Sequence, residues 1–508
     1  MNIVRPAFYF LLIILSGKMT VVAQTSAHPL KNQLVFSAIK GTSSRIDSIQ
    51  LPAGAGNAKL VSGDIASFRI ISKHKGKIIL AFEPPADFTG IKRARLQISG
   101  NKAAAIDLVG LSTNGLEGEN EAPLSTIFDA LGYKVNIGWN TLANNTRPDL
   151  QGNELSTTMF KKAGPGKVEI IPVARYSPDF ELSFGYYITK GSMPEIHETG
   201  VLAKAGTIPE HQTLFPHTVS GSRLFDPGNN EFGFYATGPT HTAYSEDVWN
   251  ILLFPTYASH ATRIYQLKNE TGKLVPNNFL VCFEEAKNGD YNDYVFLVKN
   301  IRPAGKDPFS TLFNGKDLEG WHTYLDKIGK NTDPSNNFRI ENGVIHVIGK
   351  DLGYFITESG YNNFHFKVDF KWGEKKWPPR EDAKRDAGIC YNIPMNEPDS
   401  IWPQSIECQI QEGDVGDFWL LGFSTIKQDG KENEPSAHTR MIKKADAEKP
   451  NGEWNTVEVI SVNGKCVHVV NGVVVNVGED ASVKRGRILL QSEYSEIYYR
   501  NIKIRQLF

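Results

Sequence analysis

Short runs in which polar and apolar residues alternate, each cut off by Gly, Pro, Asn or Asp, are the feature that most restricts this chain. Gln33-Leu34-Val35-Phe36, Phe68-Arg69-Ile70-Ile71, Lys77-Ile78-Ile79-Leu80-Ala81-Phe82 and Ala94-Arg95-Leu96-Gln97-Ile98 follow one another within residues 32–112. A period of two sends successive side chains to opposite faces, so each run reads as a half-buried strand, and the spacing of the turns is that of a small β-sandwich. One segment breaks the pattern: Leu124, Ile127, Phe128 and Leu131 in PLSTIFDALG recur at helical spacing, with Gly132 as the stop, and predict a single amphipathic helix. With 45 Gly and 27 Pro among 508 residues, turns are plentiful and long helices are not expected.

At about 150 residues per domain the length suggests roughly three domains. Two linkers divide the chain, the polar GLEGENE of residues 115–121 and Arg302-Pro303-Ala304-Gly305-Lys306-Asp307-Pro308, whose two prolines favour an extended path. The expected organisation is all-β: an immunoglobulin-like sandwich over 30–113, a second β-sandwich over 120–304 and a C-terminal jelly roll over 306–508.

Before these domains, Arg5, the apolar stretch Ala7 to Leu15 and the small residues of Val21-Val22-Ala23 form the three parts of an export signal, 1–23, with cleavage before Gln24. Nine apolar residues are too few to span about 30 Å of hydrocarbon. The expected location is therefore the periplasm or the extracellular space, with no membrane insertion after cleavage. Lys and Arg total 55 against 56 Asp and Glu, a net charge of −1, which removes the electrostatic footprint of a nucleic-acid or anionic-membrane binder. Cys282, Cys390, Cys408 and Cys466 show no CxxC spacing, so buried free thiols are expected, with a Cys390–Cys408 bridge as the alternative.

Residues 32–112, with AFEPPADFTGIKRARLQI followed by IDLVGL, resemble the immunoglobulin-like modules of the abnormal-spindle and Hydin type. NNFLVCFEEAKNGDYNDYVFLVKNI resembles the end of the secreted β-sandwich family known as domain of unknown function 4114, and the resemblance implies a cation site in the carboxylate cluster before the last strand. Here the cluster is Glu284, Glu285, Asn288, Asp290, Asn292 and Asp293, and Glu285, Asp290, Asn292 and Asp293 are the expected ligands. Calcium needs six to eight hard oxygens, and oxygens at alternating loop positions supply them. Asn288-Gly289 alternatively makes this a solvated hairpin turn.

The C-terminal 203 residues hold six of the eight tryptophans. Indole faces suit sugar rings, and Trp377 in the charged loop GEKKWPPREDAKRD and Trp419 in GDFW are the stacking candidates, while Trp321 and Trp454 are expected in the core. In Glu407-Cys408-Gln409-Ile410-Gln411 the alternation places Glu407, Gln409 and Gln411 on one face and Cys408 and Ile410 in the core. A polar row of this kind is a groove floor. Glu412 falls on the opposite face unless a bulge at Gly413 re-aims it.

LFNGKDLEGWH, NNFRIENGVIHV, DAGICYNI, SIECQIQEGDVGDFW, KPNGEWNTVEV, VVNGVVVN and ILLQSEYSEIYYRNIKI, in that order, resemble the motifs of the 3-keto-disaccharide hydrolase family, domain of unknown function 1080. The resemblance implies a concanavalin-like jelly roll and a carbohydrate substrate. The chain departs from the family at Asp386-Ala387-Gly388-Ile389, where Asn-Ser-Gly-Ile is usual. Glu407-x-Gln409-x-x-Glu412 also resembles the E-x-D-x-x-E strand of laminarinase-type retaining glycosidases, but Gln409 replaces the charged residue that would tune its neighbours, which disfavours double displacement.

A 3-keto sugar requires less, because its carbonyl acidifies the C2 hydrogen: one base, one donor to the enolate and one acid for the leaving oxygen suffice. The expected base is Glu407 and the expected acid Glu412 or Asp414; Arg385, His438 and Gln409 are the candidate donors, with a divalent ion as an alternative in that role. Gln411, Trp377 and Trp419 complete the expected substrate contacts. The alternative function is a non-catalytic, lectin-like carbohydrate-binding protein.

Overall fold

The computed structural model describes residues 33–507, apart from 45–46, 51–54, 75, 101–103, 117, 191–192, 205–211 and 306. The export signal expected over 1–23 lies outside the described residues. The chain divides into two compact units, one up to Ser112 and one from Thr113.

In the first unit a four-stranded sheet faces a three-stranded one, all pairs antiparallel. Phe36, Phe68, Phe82, Leu96 and Leu108 fill the space between them. The close approach has a sequence cause: a Cβ on Gly110 would sit 2.3 Å from the Phe82 ring, so only glycine fits there.

The second unit holds two sandwiches that share no sheet. In the N-terminal one, a five-stranded and a six-stranded sheet enclose a core of Phe160, Phe184, Phe234, Phe279 and Phe296. The predicted helix forms here as α1 (Leu124–Leu131), burying the expected Leu124, Ile127, Phe128 and Leu131 and ending at Gly132 with φ 75°. A second short helix, α2 (Asp247–Leu253), buries Val248, Trp249, Ile251 and Leu252.

The C-terminal sandwich packs an eight-stranded sheet against a nine-stranded one around Phe366, Phe370, Ile389, Cys408, Val457 and Leu490. The strands of the nine-stranded sheet that matter below are β1 (Trp321–Leu325), β2 (Gly353–Thr357), β3 (Asp386–Ile393), β4 (Ser405–Gln411), β5 (Phe418–Leu421), β6 (His438–Met441) and β7 (Arg485–Ser492). Their spatial order is β1-β2-β7-β3-β4-β5-β6. The outward face of the other sheet carries an apolar patch: Ile460, Val462, Val467, Val469 and Leu507 cluster with α2 and with Tyr187, Tyr235 and Tyr244. Arg505 pairs there with the buried Glu246 at 2.8 Å, and Glu246 also accepts bonds from Tyr187 Oη and Trp249 Nε1.

All four cysteines are free and buried. The alternative Cys390–Cys408 bridge is corrected by register. Cys390 lies opposite Glu407, so Cys408 is its diagonal neighbour on the far face of the sheet, and the two thiols point apart. Among the described residues no helix is long and apolar enough to cross a membrane.

Candidate active site

On β4 the alternation works as the sequence predicts. Cys408 and Ile410 are in the core, while Glu407 and Gln409 face outward and are nonetheless only 4% and 6% exposed. Register extends this row across the sheet. Glu407 lies between Cys390 of β3 and Trp419 of β5, and Gln409 lies opposite Gly388. Gly388 is needed there: a Cβ would stand 1.8 Å from Glu407 Oε1 and 2.4 Å from Gln491 Oε1, so the glycine opens the space into which both side chains reach.

Three carboxyls converge on this face: Glu407, Asp386 at the start of β3, and Glu493 just beyond β7, all buried. Arg380, from the loop before β3, reaches Asp386 at 2.5 Å and Glu493 at 3.3 Å. Gln411 Nε2 donates to Asp386 at 2.7 Å, and Gln491 Nε2 faces the Cys390 thiol at 3.5 Å. Burial, followed by the charges of Glu493 and Asp386, raises the Glu407 carboxyl well above the ordinary carboxylate range. Glu493 is pushed up to about 8, by burial first and then by Asp386. Asp386 is raised by burial against the opposing pull of Arg380 and Gln411. One guanidinium does not balance three carboxylates in a space of low polarity, so the cluster retains protons at neutral pH. A set of coupled carboxyls that shares protons can supply both an acid and a base.

The other expected site residues fall outside this row. Glu412 turns away and accepts bonds from Asn451 Nδ2 at 2.6 Å and from Arg385 at 3.3 Å, and both contacts hold its carboxyl below the usual range. Arg385 is thereby committed to Glu412 and to the Gly373 and Glu374 carbonyls. Asp414 is paired with Lys384 and Arg440. Glu412, Asp414 and Arg385 therefore stand outside the group that Glu407 forms with Asp386, Glu493 and Arg380. His438 is exposed and lies two strands from Glu407, edge-on to Trp402. Trp377 is half-buried, donating to the Ile348 carbonyl, and its backbone N–H binds the Tyr494 carbonyl beside Glu493. Trp419 is the direct neighbour of Glu407.

A second cluster lies in the preceding sandwich. Ligand atoms of Glu284, Asp290 and Asp293 all lie within 4.8 Å of one another, and all three residues are buried. Among the described residues no other group of three His, Cys, Asp or Glu gathers so closely. Glu284 Oε1, Asp290 Oδ1 and Asn292 Oδ1 are buried without a hydrogen-bond partner. Of the expected ligands Asp290, Asn292 and Asp293 are present. Glu285 is replaced by Glu284, because neighbouring residues at a strand end point to opposite sides, and Glu285 instead accepts from Tyr294 Oη at 2.5 Å. Three buried carboxyls, two of them with an orphaned oxygen, together with the orphaned Asn292 amide oxygen are the donor set a hard cation fits.

No curated protein matches the chain. Among solved structures, a candidate glycosyl hydrolase from Parabacteroides distasonis is 21% identical, covering 39% of this chain and 94% of that one with a TM-score of 0.28. A carbohydrate-binding module from Bacillus subtilis is 8% identical, covering 37% of this chain and 95% of the module with a TM-score of 0.25. A non-specific endo-β-1,3(4)-glucanase of family GH16 is 12% identical, covering 40% and 92% with a TM-score of 0.26. Residues 308–505, the C-terminal sandwich, match the family model described as the 3-keto-alpha-glucoside-1,2-lyase-like domain, the family that the C-terminal motifs resemble.

Proposed function

We propose that the C-terminal domain cleaves the glycosidic bond of 3-keto-glycosides by elimination followed by hydration. The observation that carries this reading is the buried group Glu407, Asp386 and Glu493 with a single arginine. Glu407 takes the C2 hydrogen, and the electron pair moves onto the C3 oxygen as an enolate. Its collapse restores the carbonyl, forms the C1–C2 double bond and expels the C1 oxygen, which takes a proton from Glu493. Glu493, now ionised, removes a proton from the water that adds at C1, and Glu407, its proton exchanged with solvent as the leaving group departs and water enters, delivers a proton to C2, so both groups regain their starting states. The two roles follow from one shared proton: with that proton on Glu493, the neighbouring charge that holds the Glu407 carboxyl up is removed, so Glu407 is the group left ionised as the base while Glu493 is the acid. Arg380 stands beside these carboxyls and supplies the donor to the enolate. No step requires a metal, and a divalent ion remains the alternative in the enolate role.

Incubation with a nitrophenyl 3-keto-glucoside should release nitrophenolate, while the unoxidised nitrophenyl glucoside, whose C2 hydrogen is not acidic, should be inert. Release from neither compound, with binding of both, favours the lectin-like alternative.

In the preceding sandwich Glu284, Asp290, Asn292 and Asp293 would hold calcium, with a structural role: the ion offsets the charge of three buried carboxylates. Calcium at a hundred times its dissociation constant should stabilise the full chain by about 2.7 kcal/mol. An unchanged thermal midpoint, or the same shift after Asp290→Ala with Asp293→Ala, removes the proposal. Export through residues 1–23 would put both sites outside the cytoplasm, and N-terminal sequencing of secreted protein beginning at Gln24 is the check.

A further inference from the structure

The three carboxyls of the active face share one arginine unequally, and the mechanism above gives Asp386 no part. Register seats Asp386 opposite Gln411 of β4, and its backbone N–H donates to Ser495 Oγ at 3.2 Å, so the residue is fixed from two sides. Its Oδ2 accepts from Arg380 Nη2 at 2.5 Å and from Gln411 Nε2 at 2.7 Å. The same Arg380 nitrogen stands farther from Glu493, at 3.3 Å. Glu407 faces the other two carboxyls and the Gln491 amide, with no cation among those neighbours.

In a buried group the first negative charge settles where donors are closest and most numerous, and that is Asp386. Its charge matches the Arg380 guanidinium, so the cation nearest Glu493 is already balanced. A fixed anion also stands close to Glu493. Both effects favour the neutral form of the Glu493 carboxyl. The other titratable groups packed against Glu493 leave this order intact. Burial pushes the Cys390 thiol of β3 and the Tyr499 phenol of the following strand well above their ordinary values, so both stay neutral, and Glu407 is the partner with which Glu493 shares its proton.

We infer that Asp386 is a positioning residue for the cleavage: by holding Arg380 and carrying the first negative charge of the group, it keeps the transferable proton on Glu493 and so sets the upper pH limit of turnover. The inference rests on the proposed cleavage of 3-keto-glycosides and names how that site is tuned.

The test follows kcat/KM against pH for methyl 3-keto-glucoside, whose leaving group needs a proton, with the full chain and an enzyme-free control at each pH. Asparagine keeps the size of the side chain and an oxygen for Gln411 but removes the charge. Asp386→Asn should move the alkaline limb down from about 8 by about one pH unit or more, with turnover retained on the acid side of the new limb. A limb that stays in place while turnover falls makes Asp386 merely structural, and a loss of about a hundredfold or more at every pH makes it a proton-transferring group itself; either result overturns the proposal, as does a limb that moves up. Asp386→Ser, which removes the same charge with less bulk, is read in the same way if the asparagine variant does not fold. If the wild type turns over nothing, the cleavage reading fails by itself, and the thermal midpoint against pH decides the role of Asp386. The decline in stability that accompanies loss of the Glu493 proton should then end at a lower pH in Asp386→Asn, and a decline that keeps the wild-type position refutes the role.

Discussion

The two outward faces of the C-terminal sandwich are built from strands of similar length and opposite character. On the eight-stranded sheet Ile460, Val462, Val467, Val469 and Leu507 present an apolar patch that α2 and its neighbouring tyrosines cover, and the carboxylate beside it, Glu458, is paired with His365 and Lys367. On the nine-stranded sheet Glu407, Gln409, Asp386, Glu493 and Gln491 are buried without being apolar. Covering the first face releases water from hydrocarbon and stabilises the fold, at about 1.5–3 kcal/mol for each large side chain. Burying the second raises carboxyl pKa values and contributes no comparable stability. The first face is made to be covered by its own chain; the second is held open at a cost in stability, which is the mark of a surface kept for a ligand.

Single substitutions on the two faces should therefore fail differently. Glu407→Gln keeps the size and hydrogen-bonding shape of the side chain but abolishes the base, and should lower turnover of a 3-keto-glycoside by about 10²- to 10⁴-fold with the thermal midpoint maintained or raised. Unchanged turnover would place the base elsewhere. On the covered face, Val467→Asp buries a carboxylate between Ile460 and Val477 and should destabilise by roughly 3 kcal/mol or more, read in a denaturant titration. A stable Val467→Asp protein would show that the contact with α2 is dispensable, and the contrast between the faces would collapse.

The pH dependence sharpens the same contrast. Glu493 must be protonated to act as the acid, so activity should fall as pH rises through about 8. Its carboxyl is raised on folding, so the folded state holds the proton more tightly. Stability is therefore greatest below the unfolded value and declines as pH climbs from there to about 8. Glu493→Gln should lower activity, flatten that decline and remove the alkaline limb of the rate profile. If the limb persists, another group is the acid.

How much of this was legible in the sequence depended on whether a residue's role is set locally. The outward row of Glu407, Gln409 and Gln411 follows from a period of two, and α1 from a period of 3.6 with a glycine stop. Glu493 and Gln491 were missed although Ile488 and Leu490 alternate with them in ILLQSE, because the pairing that sets β7 beside β3 joins segments about a hundred residues apart. Asp386 marks the departure from the family motif, and the structure makes it a third carboxyl in the site. Arg380 lies in the charged loop GEKKWPPREDAKRD, where nothing local singles out one cation from its neighbours. Glu284 and Glu285 could not be told apart because the choice depends on where the preceding strand ends. The covered face did leave a signal: in KCVHVV Cys466 and Val470 on one face and Val467 and Val469 on the other are apolar, which a sheet open to water on one side does not need.

The central claim is that the buried carboxyl face removes a proton from C2. It is tested most directly by turning over a 3-keto-glycoside in deuterium oxide, quenching early, and locating the label by NMR against an enzyme-free control. Elimination and hydration predict one deuterium at C2 of each released 3-keto sugar, acquired at the rate of turnover and lost with Glu407→Gln. Product that keeps protium at C2 while the glycosidic bond is broken would contradict the account and leave direct displacement at C1 in its place.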